Sequence, residues 1–219
     1  MTSMVKVWDL PTRFFHWSLV LLFVFMIVSG ESDELMEWHF YGGYLLCGLI
    51  LFRLIWGWLG TRYARFSSLQ LNPITAAQYT RNLLRSQHRA QYGHTPAGSL
   101  MVVLMLGLLS LQLLTGMMST DDIIWSGPLY PAVSETIAEI AGETHEVIQG
   151  LMQLLVGVHV FAILLYKLKF NEPLVPAMVH GRKPKQGDEP AREGVSLVKY
   201  LLAAIPALGL TYWLFTLPI

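Results

Sequence analysis

Cysteine is nearly absent from this sequence. Among 219 residues only Cys47 carries a thiol, and it lies inside an apolar run. One thiol closes no internal disulfide and builds no cysteine-based zinc or iron–sulfur centre within the chain. No Cys-x-x-Cys-His segment occurs, which excludes covalent thioether attachment of a haem. Charge is scarce as well. Asp, Glu, Lys and Arg make up 14% of the residues against 53% hydrophobic, where a soluble domain carries about a quarter charged. No helix gathers basic residues with interleaved aromatics, so a nucleic-acid partner is not expected. Internal repeats and low-complexity tracts are missing too.

What the chain has in quantity is apolar length, and its mean hydropathy is +0.46. Five stretches, about residues 14–30, 39–60, 96–118, 145–168 and 195–215, reach or approach the roughly 20 apolar residues that cross a bilayer. Each must be helical, because lipid offers the backbone no hydrogen-bond partner. The expectation is an all-α integral membrane protein with five transmembrane helices. Lys6 and Arg13 ahead of the first run, with Ser29-Gly30 after it, resemble a secretory leader. The apolar core exceeds the about 7–15 residues of such a leader, and it contains His16. Residues 183–194, rich in Lys, Pro, Gly and Glu, read as a flexible linker to the fifth span.

Lys and Arg are distributed unevenly. After the second span come Arg62, Arg65, Arg81, Arg85 and Arg89, and after the fourth Lys167, Lys169, Arg182, Lys183, Lys185 and Arg192. The segments between spans one and two and between spans three and four hold none. They carry Glu31, Asp33, Glu34 and Glu37, and Asp121, Asp122, Glu135, Glu139 and Glu143. The positive-inside rule then puts the N-terminus in the cytoplasm, the acidic loops outside and, after five spans, the C-terminus outside. Trp8, Trp17, Trp56 and Trp58 fall near the inner surface and Trp38, Trp125 and Trp213 near the outer one, as interfacial anchors against membrane lipid do.

Ionisable residues inside spans are costly and mark function by default. Four of the seven histidines qualify: His16, His39, His145 and His159. His145 and His159 are 14 residues apart, nearly four helical turns, so they share a face about 21 Å apart along the axis. His39 opens the second span at the outer side and His16 opens the first at the inner side. His39 can therefore face His145, and His16 can face His159. Neutral imidazole is a good axial iron ligand, and bundle cores commonly hold such cofactors between facing helices. The layout suits two stacked, non-covalently held haems. Two histidines per iron leave no open coordination position, which favours electron transfer over oxygen activation.

Other residues fit this reading. Gly42 and Gly43 lie one turn after His39, where small residues would admit a flat macrocycle; ordinary helix contact would also use them. Arg53, 14 residues after His39, shares its face at the inner level, where a propionate is a natural partner. Snorkelling to the interface is the other role open to it. His94, just before Pro96, could bind a propionate or a quinone, cap the third span, or compete with His16 as a ligand. His88 and His180 fall in basic loops and are expected to be solvated, and Gln112 reads as a polar contact between helices.

The run Val7-Trp8-Asp9-Leu10-Pro11-Thr12-Arg13-Phe14-Phe15-His16-Trp17 resembles the start of the bacterial cytochrome b-561 family, which includes the b-type cytochrome subunits of nickel–iron hydrogenases. So do His39 followed by Gly42-Gly43 and Arg53-Leu54-Ile55-Trp56-Gly57, the segment Gly93-His94-Thr95-Pro96-x-Gly98, and the tail Leu174-Val175-Pro176-Ala177-Met178-Val179-His180-Gly181-Arg182-Lys183. The resemblance covers about residues 7–183. It implies a four-helix transmembrane haem-binding bundle, here residues 1–182, with the linker 183–194 and an additional C-terminal transmembrane helix in 195–219. It implies two haem b groups, ligated by His16 with His159 and by His39 with His145. It further implies electron exchange across the bacterial inner membrane between the quinone pool and a periplasmic redox partner, such as a c-type cytochrome, a hydrogenase or a dehydrogenase. The fifth span lies beyond the usual core, and packing on the bundle, homo-oligomer contact and binding of another subunit are all open to it. His180 also departs from the family's tail, where a less basic residue is common.

Three functions compete. In the first, an electron relay, a basic partner meets the acidic outer face and quinone exchanges electrons near His16, Arg53 and His94. In the second, a superoxide:quinone oxidoreductase, an anion would be oxidised at the outer haem; the outer loops lack the Lys or Arg that would draw it. In the third, the chain is a transporter or a haem-free anchor. Transport would favour helices broken at mid-membrane, and Pro206 in the fifth span is the one candidate kink.

Overall fold

The computed structural model describes residues 4–87, 90–121, 123–185 and 193–217. His88, Arg89, Asp122, Arg192 and the middle of the expected linker, 186–192, lie outside the described residues. Among the described residues the chain forms α1 (Leu10–Gly30), α2 (Met36–Leu59), α3 (Pro73–Leu84), α4 (Pro96–Met118), α5 (Glu135–Phe170), α6 (Leu174–His180) and α7 (Leu197–Leu214). Two short strands, β1 (Met4–Lys6) and β2 (Arg182–Pro184), complete it. The helices α1, α2, α4, α5 and α7 are long and apolar enough to cross a membrane. The protein is an all-α integral membrane protein.

Capping chemistry fixes where the spans begin. Asp9 accepts the Thr12 amide at 2.7 Å ahead of α1, with Pro11 in the first turn. Thr95 does the same for α4, accepting the Gly98 amide at 3.1 Å ahead of Pro96. Each cap satisfies an amide that the helix cannot, and proline at these positions gives up no hydrogen bond. At the far end of α5, Asn171 closes the helix in the left-handed conformation at φ 50°.

The helix α2 is the axle of the bundle. Of its apolar window 56% is buried, against 11% for α1, α4 and α5 and 17% for α7. It carries α1 on one side and α7 on another, while α4 packs along α5. At the centre Phe15, Ile50, Leu106, Leu109, Ile148 and Met152 form one apolar cluster drawn from four helices.

Three features went beyond the sequence expectation. The helix α5 starts at Glu135, ten residues ahead of His145, and its 36 residues span about 54 Å. That exceeds the roughly 30 Å hydrocarbon layer, so the acidic first turns project from it. The loop after α2 contains α3, capped by Asn72, whose side chain accepts the Ile74 and Thr75 amides at 2.9 and 3.2 Å. The expected linker also begins in a strand. β2 pairs antiparallel with β1, setting Met4 against Pro184 and Lys6 against Arg182. Val5 and Lys183, opposite each other in this clasp, are both buried.

Of the roles open to the fifth span, α7 is seen to pack on the bundle. Ala203 and Ala207 are buried against α2 near Phe52 and Trp56. Gly48 lets the helices approach: a Cβ there would run into Thr211 Oγ1 and lie 3.0 Å from the Ala207 carbonyl oxygen. Gly48→Leu is therefore expected to prise α7 from α2, destabilising the fold by about 1–3 kcal/mol. A lower Tm in detergent, with faster proteolysis on the approach to α7, checks it.

Candidate functional site

Two histidine layers lie at opposite ends of the bundle. At the acidic end His39, in the first turn of α2, faces His145 of α5, with ring centroids 6.4 Å apart and planes at 75°. Their outer nitrogens are engaged. His145 Nδ1 lies 2.9 Å from the Gln112 carbonyl and 3.3 Å from Thr115 Oγ1. A carbonyl only accepts, so this nitrogen carries the proton. His39 Nδ1 lies 3.1 Å from Ser29 Oγ, whose hydroxyl donates to the Met26 carbonyl at 3.4 Å and so accepts from the ring. Both imidazoles are thus held in the tautomer that leaves Nε2 with a free lone pair, the arrangement that orients metal-binding histidines.

Glycines make room for these rings. A Cβ at Gly116 would lie 2.6 Å from His145 Cε1, and one at Gly30 would lie 3.0 Å from His39 Cε1. Between the histidines is a cavity lined by Phe23, Met26, Leu109, Gln112, Leu113 and Met152 among others, with about 570 Å³ of empty space, part of it open to the surroundings.

The donor set selects the kind of group that fits. His39 and His145 would hold one metal ion through their Nε2 atoms, each ring offering one neutral donor. Among the described residues no set of three or more His, Cys, Asp or Glu side chains converges, so the His39–His145 site offers a metal two donors. A tetrahedral zinc site needs more. A haem iron, with four positions filled by its macrocycle, needs no more than two.

At the basic end His16 of α1 and His159 of α5 lie within electrostatic reach of each other. Arg53 is buried, 4% exposed, with its guanidinium 4.9 Å from the Phe66 ring and 5.9 Å from that of Phe15, and it acts electrostatically on His94, as does His159. Its Nη1 makes no hydrogen bond, and neither do Nδ1 of His16 and Nδ1 of His94. Buried donors without partners suit an anionic group placed against them. His94 packs on Trp8 at 4.8 Å. Burial, with Arg53 and Lys183 adding to it, pushes the His94 pKa down to about 4, so it is neutral at pH 7. Lys183 is 4% exposed, and its Nζ donates to the Gln91 carbonyl at 2.8 Å.

Gly42 and Gly43 make a different contact. A Cβ at Gly42 would meet Met26 Sδ at 2.7 Å and Phe25 at 2.9 Å, and one at Gly43 would lie 3.8 Å from Met26 Cε. These glycines set the approach of α1 to α2 and do not line the cavity between His39 and His145.

Several residues at the sites were not singled out from sequence. Ser29 and Gly30, which resemble a leader cleavage site, hold and make room for His39. Thr115 and Gly116 do the same for His145. Asp9 is buried and gathers the Trp56 indole N–H at 3.1 Å and the Thr61 hydroxyl at 2.6 Å, fastening the start of α1 to the end of α2. An Asp nine residues in, ahead of a proline turn, signals a cap; its partners across the fold leave no mark in the sequence.

The family model for prokaryotic cytochrome b561 matches residues 7–181. The chain belongs to that family. Neither the curated proteins nor the solved structures give a match. As a prokaryotic cytochrome b561 it is a membrane b-type cytochrome that binds b-type haem and transfers electrons. The matched region takes in His16, His39, His145 and His159 and stops before α7, the helix packed on α2.

Proposed function

We propose that this cytochrome b561 holds two haem b groups and carries electrons across the bacterial inner membrane between the quinone pool and a periplasmic redox partner. The observation that carries the reading is the His39–His145 pair, set 6.4 Å apart with both Nδ1 atoms engaged. His16 and His159 form the corresponding pair nearer the basic end. Bound at these pairs, haem iron supplies one-electron chemistry with no open coordination position. The chain's own residues do the rest. Ser29, Gln112 and Thr115 fix the ring tautomers at the acidic end. The Arg53 guanidinium, buried and with Nη1 unbonded, would hold a carboxylate of a cofactor at the basic end. His94, neutral and next to Arg53, lies where a quinone carbonyl would need a polar partner.

Orientation follows from charge. The loops bearing Arg62, Arg65, Arg81 and Lys167 are cytoplasmic, and the acidic loops with the C-terminus are periplasmic. The partner at the acidic face is a protein with a basic docking surface, such as a c-type cytochrome, a hydrogenase or a dehydrogenase. Superoxide as the substrate is disfavoured, because that face has no Lys or Arg to draw an anion.

Haem content with a reduced-minus-oxidised visible spectrum on the purified protein tests this. Two non-covalent haems per chain with low-spin b-type bands are expected. One haem per chain would remove the transmembrane relay, and a colourless protein after expression with ample haem would remove the reading altogether.

A further inference from the structure

We propose that two copies of this chain associate in the membrane along the lipid-facing side of α5, with Gln153 of each copy hydrogen-bonding the other. Val147, Gly150, Leu154, Gly157, Phe161 and Leu164 follow one another at alternating steps of three and four residues, and all are exposed. That is the heptad spacing of a helix–helix seam, kept over more than two repeats. At about 100° per residue the seam lies roughly opposite His145 and His159, so it is separate from the histidine layers. It is separate from α7 as well, whose contacts lie within the chain on α2.

A helix surface that only meets lipid needs nothing beyond apolar side chains, and two features here go further. The first is Gln153, exposed and adjoining the seam. It lies eight residues after His145 and six before His159, about 12 Å and 9 Å along the axis, deep in the hydrocarbon. An amide there has no water to bond, so its exposure is unfavourable until another polar group meets it. Among the described residues of the five spans, no other amide or charged side chain is exposed at that depth. Gln149 and Gln112, by contrast, line the cavity inside the bundle.

The second feature is the pair of glycines. Other glycines of the spans admit a neighbour from this chain: a Cβ at Gly48 would run into Thr211, one at Gly57 into Phe66 and one at Gly116 into His145. A Cβ at Gly150 or Gly157 would meet nothing within 4 Å. Glycine is a poor helix former, and at these two positions the chain gains no contact in return. Small residues on one face are what let a second helix come close in lipid. Gly107 of α4 and Gly209 of α7 are open too, but no amide or charged side chain is exposed within a turn of either.

The chemistry of the amide selects a second copy as the occupant. A glutamine side chain carries both donors and an acceptor. A two-fold axis along the membrane normal sets Gln153 of both copies at one depth, where each NH2 donates to the other's carbonyl oxygen. The same axis lays the seam against itself, as an isologous contact requires. Leu154 and Phe161 then pack beside the space left over Gly150 and Gly157. Glu143, on the same stripe seven residues before Gly150, marks the outer limit of the contact, since the carboxylates of two copies repel.

Cross-linking of the full chain in its own membranes tests this. In a Cys47→Ala background, Leu154→Cys is expected to give a disulfide-linked dimer on mild oxidation, while Leu104→Cys, on the lipid side of α4, stays monomeric. Both positions are exposed, so neither change touches the core, and unaltered helical circular dichroism confirms the fold. In the purified protein Gln153→Leu is expected to weaken dimerisation about three- to tenfold, and Gly150→Leu combined with Gly157→Leu to abolish it. No dimer from Leu154→Cys, equal cross-linking at positions 154 and 104, or an unchanged dimer in Gln153→Leu would each overturn the proposal. A Leu154→Cys product of a mass other than twice the chain would show a different membrane protein on this face and would overturn the second copy as its occupant.

Discussion

If the chain holds the two haems proposed above, replacing His39 or His145 with alanine is expected to remove one of them and spare the other. Either change leaves a single imidazole at the acidic end, and the remaining ligand does not hold low-spin iron between two helices. The expected signature is haem content falling by half, with the low-spin signal of one site lost and the other unchanged. His16→Ala and His159→Ala produce the complementary loss. Combining one change from each end gives a colourless protein with unaltered helical circular dichroism, since the apolar cluster of Phe15, Ile50, Leu106, Leu109, Ile148 and Met152 does not depend on the histidines. Loss of both haems from any single variant would show that the pairs are not independent sites.

A second large effect comes from a residue that touches no cofactor ligand through chemistry, only through space. Gly116 faces the His145 ring so closely that a Cβ would lie 2.6 Å from Cε1 and 3.0 Å from Nδ1. Gly116→Leu must displace the imidazole from its bonds to the Gln112 carbonyl and Thr115. Overpacking of this kind costs about 1–3 kcal/mol, which weakens cofactor retention about tenfold or more. The expected result is selective loss of the acidic-end haem on dilution. Gly116→Ala, with a single added carbon, retains more haem than the leucine variant. Equal retention in wild type and Gly116→Leu would show that the ring can yield without cost.

The depth argument from sequence worked because helical geometry and charge topology are both long-range regularities. Fourteen residues between His145 and His159 mean a shared face whatever the surroundings, and the absence of Lys and Arg from alternate loops orders the spans. Contacts that depend on one atom's position were not legible. Ser29-Gly30 looks like a processing site by composition, yet these residues hold and accommodate His39. Gly42 reads as a surface for a macrocycle from its distance to His39, but the neighbour it meets is Met26, which only the crossing of α1 and α2 determines. The first ten residues of α5 are too polar to register as a span, although Ala138 and Ala141 are buried along them. The strands β1 and β2 are three residues each, too short to show an alternating pattern.

The clasp between these strands has a bearing on how the protein is made. Its partners, Met4 and Pro184, flank the first four spans in the chain, so the N-terminal strand must wait until all four have left the ribosome. At about 5–20 residues per second the wait lasts on the order of ten seconds or more. Throughout it Lys183, which is buried opposite Val5 and donates to the Gln91 carbonyl, is not yet seated. The surroundings of His94, on which Lys183 acts, are thus completed only when the last strand closes over the first.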